Sequence, residues 1–152
     1  MVERFLGRHL KRIDAKGRVS VPAPFRAALA RSSFDGLFCV RSLTQPAVDA
    51  GGEALLASID ATLARHAPFS PEHAALATLL LGQGDAPSLD TEGRIVLPDW
   101  IRSATGIDAE VLFLGLGSRF QLWAPERFAT WEAEARITAA RLLGVTTDER
   151  TP

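Results

Sequence analysis

Five cations crowd one short stretch of this chain: Arg8, Lys11, Arg12, Lys16 and Arg18. Side chains of this kind suit a polyanion. Lysine meets phosphate as a point charge, and arginine's planar fork can donate two hydrogen bonds to guanine O6 and N7. The chemistry they point to is recognition of double-stranded DNA. Other reactive side chains lack the company that a reaction needs. Asp14 and Asp90 could be imagined as a carboxylate pair, yet each precedes a Gly-Arg turn, which is reason enough for it. His9, His66 and His73 have neither metal-ligand spacing nor a triad context. Ser20 lies in a strand-like run without a nucleophile elbow, and no Gly-rich phosphate cradle occurs. Cys39, alone between Phe38 and Val40, reads as a buried structural thiol. The expectation is a protein that is not an enzyme and takes no cofactor, metal or small-molecule substrate.

The net charge of −1 conceals an uneven layout. Residues 1–31 carry eight basic and two acidic side chains, a net +6, whereas the remaining 121 residues carry nine and sixteen, a net −7. A polyanion is drawn to the first segment and repelled by the rest. A solvated basic face without a partner is the alternative that charge alone leaves open. No apolar run reaches the roughly 18–20 residues of a membrane span. Met1-Val2-Glu3-Arg4-Phe5 lacks a basic-then-apolar signal pattern. A cytoplasmic protein with no membrane partner is expected.

Cations that read DNA need a rigid frame, and the frame is legible as a repeat. Ile13-Asp14-Ala15-Lys16-Gly17-Arg18-Val19-Ser20-Val21-Pro22-Ala23-Pro24-Phe25-Arg26 returns 76 residues later as Leu89-Asp90-Thr91-Glu92-Gly93-Arg94-Ile95-Val96-Leu97-Pro98-Asp99-Trp100-Ile101-Arg102. In each copy the Asp side chain can accept backbone N–H bonds, and Gly17 or Gly93 supplies a positive φ that turns the chain into a strand. The strands, 19–21 and 95–97, are stopped by Pro22 and Pro98, which also fix φ for the helices expected over 23–30 and 99–105. Gly106 closes the second helix.

Apolar segments 36–40 and 110–116 read as further strands, and Gly117-Ser118 turns the second of these into 119–123 to complete a hairpin. A helix follows from 125 to about 143, with Phe128, Trp131, Ala135 and Leu142 on its apolar side. The corresponding hairpin strand of the first copy, 43–49, reads as weak because Pro46 cannot donate to a ladder. Between the copies, Leu56, Ile59 and Leu63, then Leu76, Leu79 and Leu80, give two helices over 53–65 and 71–81, broken by Pro68 and Pro71. The class is α+β. Residues 1–55 form a first unit, 56–82 the inter-unit helices, 83–145 a second unit, and 146–152 a polar tail expected to be disordered.

Phe5-Leu6-Gly7 followed by Ile13-Asp14-Ala15-Lys16-Gly17-Arg18-Val19-Ser20-Val21-Pro22, with Asp90-Thr91-Glu92-Gly93-Arg94 in the second copy, resembles the MraZ family of bacterial regulators over nearly the whole chain. The resemblance implies two tandem, pseudo-symmetric swapped-hairpin β units of the AbrB-like kind, with short helices, assembling into a homo-oligomeric ring. It also implies sequence-specific binding to short repeated operator motifs near cell-division and cell-wall genes, and the small +6 segment that each subunit offers makes cooperative binding the expectation. A place on the nucleoid goes with that role.

The copies share their turn chemistry, so their differences separate function from folding. Lys16 becomes Glu92, and the strand leading into the second turn, 84–89, has no basic residue. The first copy is expected to read DNA, and the second, with Asp90, Gly93 and Arg94, to hold the structure, as Asp14 and Gly17 do for the first turn. Arg18 keeps two roles open, contact with DNA and pairing with Asp14 to hold the loop. If five cations neutralise phosphates, the log–log salt slope is roughly −4 to −5 per engaged subunit. A ring-forming scaffold that binds only proteins is the competing reading, and salt-dependent affinity for duplex DNA separates the two.

Overall fold

Proline and glycine set the element boundaries. In the computed structural model, which describes residues 4–144, helices α1 (Ala23–Ala30) and α4 (Asp99–Thr105) begin directly after Pro22 and Pro98. Gly106 closes α4 in the left-handed region at φ 77°. Residues 146–152, expected to be disordered, lie outside the described residues. Seven strands accompany the helices among the described residues: β1 (Arg8–Arg12), β2 (Arg18–Ser20), β3 (Phe38–Arg41), β4 (Val48–Gly51), β5 (Arg94–Val96), β6 (Glu110–Gly115) and β7 (Phe120–Trp123). The fold is α+β, with a five-stranded antiparallel sheet ordered β1-β6-β7-β4-β3 and a separate β2-β5 ribbon.

The two copies of the repeat interleave. Strand β1 of the first pairs with β6 of the second, β4 with β7, and β2 with β5. Val19 faces Ile95, its own counterpart at the 76-residue offset, so an approximate two-fold axis passes between them. In the large sheet the copies meet where Asp49 faces Gln121.

Two expectations need correction. The strand expected over 84–89 shrinks to one bridge, Asp85 to Cys39, with N–H···O distances of 2.7 and 2.8 Å. Pro87 has no N–H to continue a ladder, and the Asp85 carboxylate is taken by the Ala86 N–H at 2.8 Å and Trp100 Nε1 at 3.0 Å. The weak strand expected over 43–49 is instead β4, an interior strand bonded on both sides. Pro46 precedes it and removes no ladder donor. Residues Ser42 to Gln45 form a turn held by Ser42 Oγ, which accepts from the N–H groups of Thr44 and Gln45.

Alternation along the strands sorts the side chains to two faces. On the inner face, under the β2-β5 ribbon and α1, Phe5, Phe25 and Phe120 pack with ring centroids 4.9–5.4 Å apart around Val19, Ile95 and Ile101. Cys39 is buried there as expected, and burial pushes its thiol pKa up. The outer face is covered at one end by α2 (Glu53–Leu63) and α3 (Pro71–Ala77), the latter running into a π-helical turn, Thr78–Gly82. At the other end lies α5 (Pro125–Leu142), with Phe128 against Trp123, and Trp131 stacked on Trp123 at 6.4 Å. Leu142, expected on the apolar side of α5, is 81% exposed. The helix outruns the surface that its first turns cover.

A polar seam crosses the sheet where the copies meet. Gln121, 1% exposed, donates to Gln45 Oε1 at 3.0 Å and Asp49 Oδ1 at 2.9 Å, and accepts from Trp123 Nε1 at 2.9 Å. Arg119 Nε completes it, donating to Asp49 Oδ1 at 2.9 Å. A buried amide so satisfied fixes register where an apolar side chain would not.

Gly115 marks the tightest approach of backbone to β6. A Cβ there would lie 2.5 Å from Leu6 N and Phe5 C, and the Phe5 backbone is held by 2.8 Å bonds in both directions to Gly117. Gly115→Ala is expected to destabilise the fold by about 1–3 kcal/mol, as overpacking does when neither side can retreat. A denaturant midpoint equal to wild type would contradict this packing.

Candidate nucleic-acid interface

Asp14 organises the first turn. Its Oδ1 accepts from the N–H groups of Lys16 and Arg18, both at 2.9 Å, and its Oδ2 accepts from Arg18 Nε at 2.8 Å. Gly17 sits at φ 78°, and its N–H reaches Asp14 O at 3.0 Å. Asp90, Glu92, Gly93 and Arg94 reproduce the same geometry, with Oδ1 bonds of 2.9 Å and Arg94 Nε at 2.9 Å. The pairing role left open for Arg18 is therefore present. It engages Nε and leaves the two Nη groups without a carboxylate among the described residues.

One substitution makes the turns unlike. Glu92 stands where the first copy has Lys16, and its Oε2 lies 3.0 Å from Arg94 Nη2, so Arg94 is bound by two carboxylates. Its pKa is raised, first by the hydrogen bond to Asp90 and then by the charges of Asp90, Glu92 and Asp14. Shape differs as well as charge. A Cβ on Gly93 would fall 2.2 Å from Arg26 Cδ, so an arginine of the first copy lies across the second turn, donating to Val21 O. A Cβ on Gly17 would meet nothing within 4 Å. Arg102, the repeat counterpart of Arg26, turns away to Asp108 O at 3.0 Å. The first turn is open and cationic, and the second is overlain at Gly93 by Arg26 and internally neutralised.

The five cations are not all on one surface. Arg12 is exposed at the end of β1, opposite Glu110, and Lys16 is exposed on the turn beside Arg18. Lys11 is half-buried on the inner side of β1, opposite Val111, the side on which His9 packs edge-on to Phe25 at 5.2 Å. Arg8 starts β1, roughly 13 Å of strand away from Arg12. It turns to the outer face, 3.0 Å from Glu132 of α5 and 5.8 Å above the Phe128 ring. Sequence reasoning missed Arg26 and Glu132. Identity at positions 26 and 102 signals Arg26 without telling which turn it covers, and a partner 124 residues from Arg8 leaves no local signal.

Acid should loosen both turns. The carboxyl pKa values of Asp14 and Asp90 are lowered, mainly by the backbone N–H bonds from Arg18 and Arg94 and then by the guanidinium bonds, against an opposing push from desolvation. A carboxylate with a folded pKa below its unfolded value of about 3.9 contributes stability above that pH, and the contribution is lost as pH falls through the folded pKa. Denaturant midpoints measured from pH 6 to pH 3 should fall more steeply for wild type than for the Asp14→Asn, Asp90→Asn double variant. Parallel curves would contradict the assignment.

A family model for MraZ proteins, antitoxin-like by its description, matches residues 80–144. The transcriptional regulator MraZ of Xanthobacter autotrophicus is 45% identical over 134 residues, covering 88% of this chain and 85% of that protein. The protein of the same name from Azorhizobium caulinodans is 45% identical over 141 residues, covering 93% and 90%. That of Beijerinckia indica is 46% identical over 135 residues, covering 89% and 82%.

Proposed function

The chain belongs to the MraZ family, and on that premise we propose that it regulates transcription by binding duplex DNA in a sequence-specific way. Its targets are short repeated operator motifs near cell-division and cell-wall genes, bound cooperatively by a homo-oligomeric ring on the nucleoid, in the cytoplasm. The protein performs no catalysis. The name shared by its relatives supports the regulatory role. The interleaved pairing of β1, β2 and β4 with β6, β5 and β7 supports two tandem swapped-hairpin units, 1–55 and 83–145, joined through the helices of 56–82.

One observation carries the DNA reading. The same Asp-x-x-Gly-Arg turn is built twice with matching backbone bonds, and only the first is left open with an uncommitted lysine beside the arginine. Arg12, Lys16 and Arg18 are the proposed contacts, with Lys11 adding charge from the strand's inner side. Arg8 braces β1 against α5, and Asp14, Gly17, Asp90, Gly93 and Arg94 hold the turns. Fragments recovered by the protein from a random duplex library should be enriched in spaced repeats of one short motif. Recovery without enrichment, from a protein that still self-associates, would favour a protein-binding scaffold instead.

A further inference from the structure

Phe69 stands at the tip of the α2–α3 hairpin, 99% exposed, and at φ 64° it is the only non-glycine with positive φ among the described residues. Left-handed backbone is unfavourable for a residue with a Cβ, and an aromatic ring held in water forgoes its burial as well. The tip is nonetheless tied in place. Ser70 N–H reaches Ala67 O at 3.0 Å, Ser70 Oγ accepts from His73 N–H at 3.1 Å to cap α3, and Pro68 and Pro71 flank the turn. Strain is therefore used to present a ring that meets almost none of its own chain.

A groove of about 500 Å³ opens at the opposite end of the same hairpin, its apolar side formed by Leu29, Phe34 and Leu89 and its polar side by Arg26, Ser33 and Asp35. Ser32, also on its wall, accepts from the N–H of Glu53, the first residue of α2, at 2.8 Å. An 11-residue helix is about 16 Å long, so tip and groove are held apart within one chain. We infer that Phe69 of one copy seats in the groove of the next copy. This rests on the self-association proposed above and assigns it a contact. A knob and a socket on different parts of one molecule pair head to tail, which is the geometry that closes rings. An aromatic anchor against apolar walls with a polar rim around it is also the usual centre of such an interface. Arg65 beside the tip can meet Asp35 on the rim of the socket.

The test is light scattering on full-length wild type and Phe69→Glu at micromolar concentration, joined to a cross-linking pair. Phe69→Glu is expected to fall from a multimer towards the monomer mass of 16.4 kDa with unchanged circular dichroism. Mixing Phe69→Cys with Ser33→Cys should give a disulfide-linked dimer under mild oxidation that neither variant gives alone. A multimeric wild type with Phe69→Glu of equal mass and no mixed disulfide would overturn this contact and leave ring formation standing. A monomeric wild type would overturn both.

Discussion

Arg18→Ala is expected to weaken binding to duplex DNA by roughly tenfold or more per engaged subunit, the scale of about 1–3 kcal/mol for one bidentate arginine contact. Arg94→Ala is expected to leave intrinsic affinity within about twofold, since Arg94 makes no proposed contact. The two arginines are matched controls. Each donates Nε to the aspartate four residues before it, so each substitution removes the same intra-turn bond. Only Arg18 has Nη donors clear of carboxylates, with Lys16 in place of glutamate alongside. Arg18→Lys isolates the fork: it keeps the charge and the two backbone bonds to Asp14 Oδ1, and should recover non-specific binding but not base discrimination. Loss of DNA binding by Arg94→Ala in an intact oligomer, with normal binding by Arg18→Ala, would reverse the division of labour.

Salt should have an effect of comparable size. Counting Arg8 gives five cations and a slope near −4 to −5, but Arg8 is paired with Glu132 on the α5 face. Lys11, Arg12, Lys16 and Arg18 remain, for a log–log slope of about −3.6 per engaged subunit. Between 50 and 200 mM monovalent salt the affinity should then fall about 150-fold for each subunit engaged. Arg8→Ala should leave the slope unchanged, whereas Lys16→Ala should reduce it by about 0.9. Affinity insensitive to salt would contradict phosphate contact altogether.

The parts of this molecule that were legible in the sequence are those that short-range chemistry determines. Helices α1 and α4 start where Pro22 and Pro98 allow, and the turns at Asp14 and Asp90 form the bonds their spacing suggests. What eluded sequence reasoning depends on partners far along the chain. The loss of the strand at 84–89 follows from Pro87 and from capture of Asp85 by Trp100, and the interior place of β4 follows from its pairing with β7. Neither pairing leaves a periodic signature. For the site, charge and the repeat identified which turn differs. They could not tell that Arg26 covers the second turn, or that β-strand alternation sends Arg8 and Lys11 to opposite faces.

The central claim is that the first turn faces DNA and the second does not. A photo-reactive benzophenone side chain placed at Lys16 in one variant and at Glu92 in another tests it most directly, because both positions occupy equivalent, exposed sites on equivalent turns. Irradiation with the selected operator duplex should yield a protein–DNA adduct from position 16 and none above background from position 92. An adduct from position 92 with none from position 16 would contradict the claim.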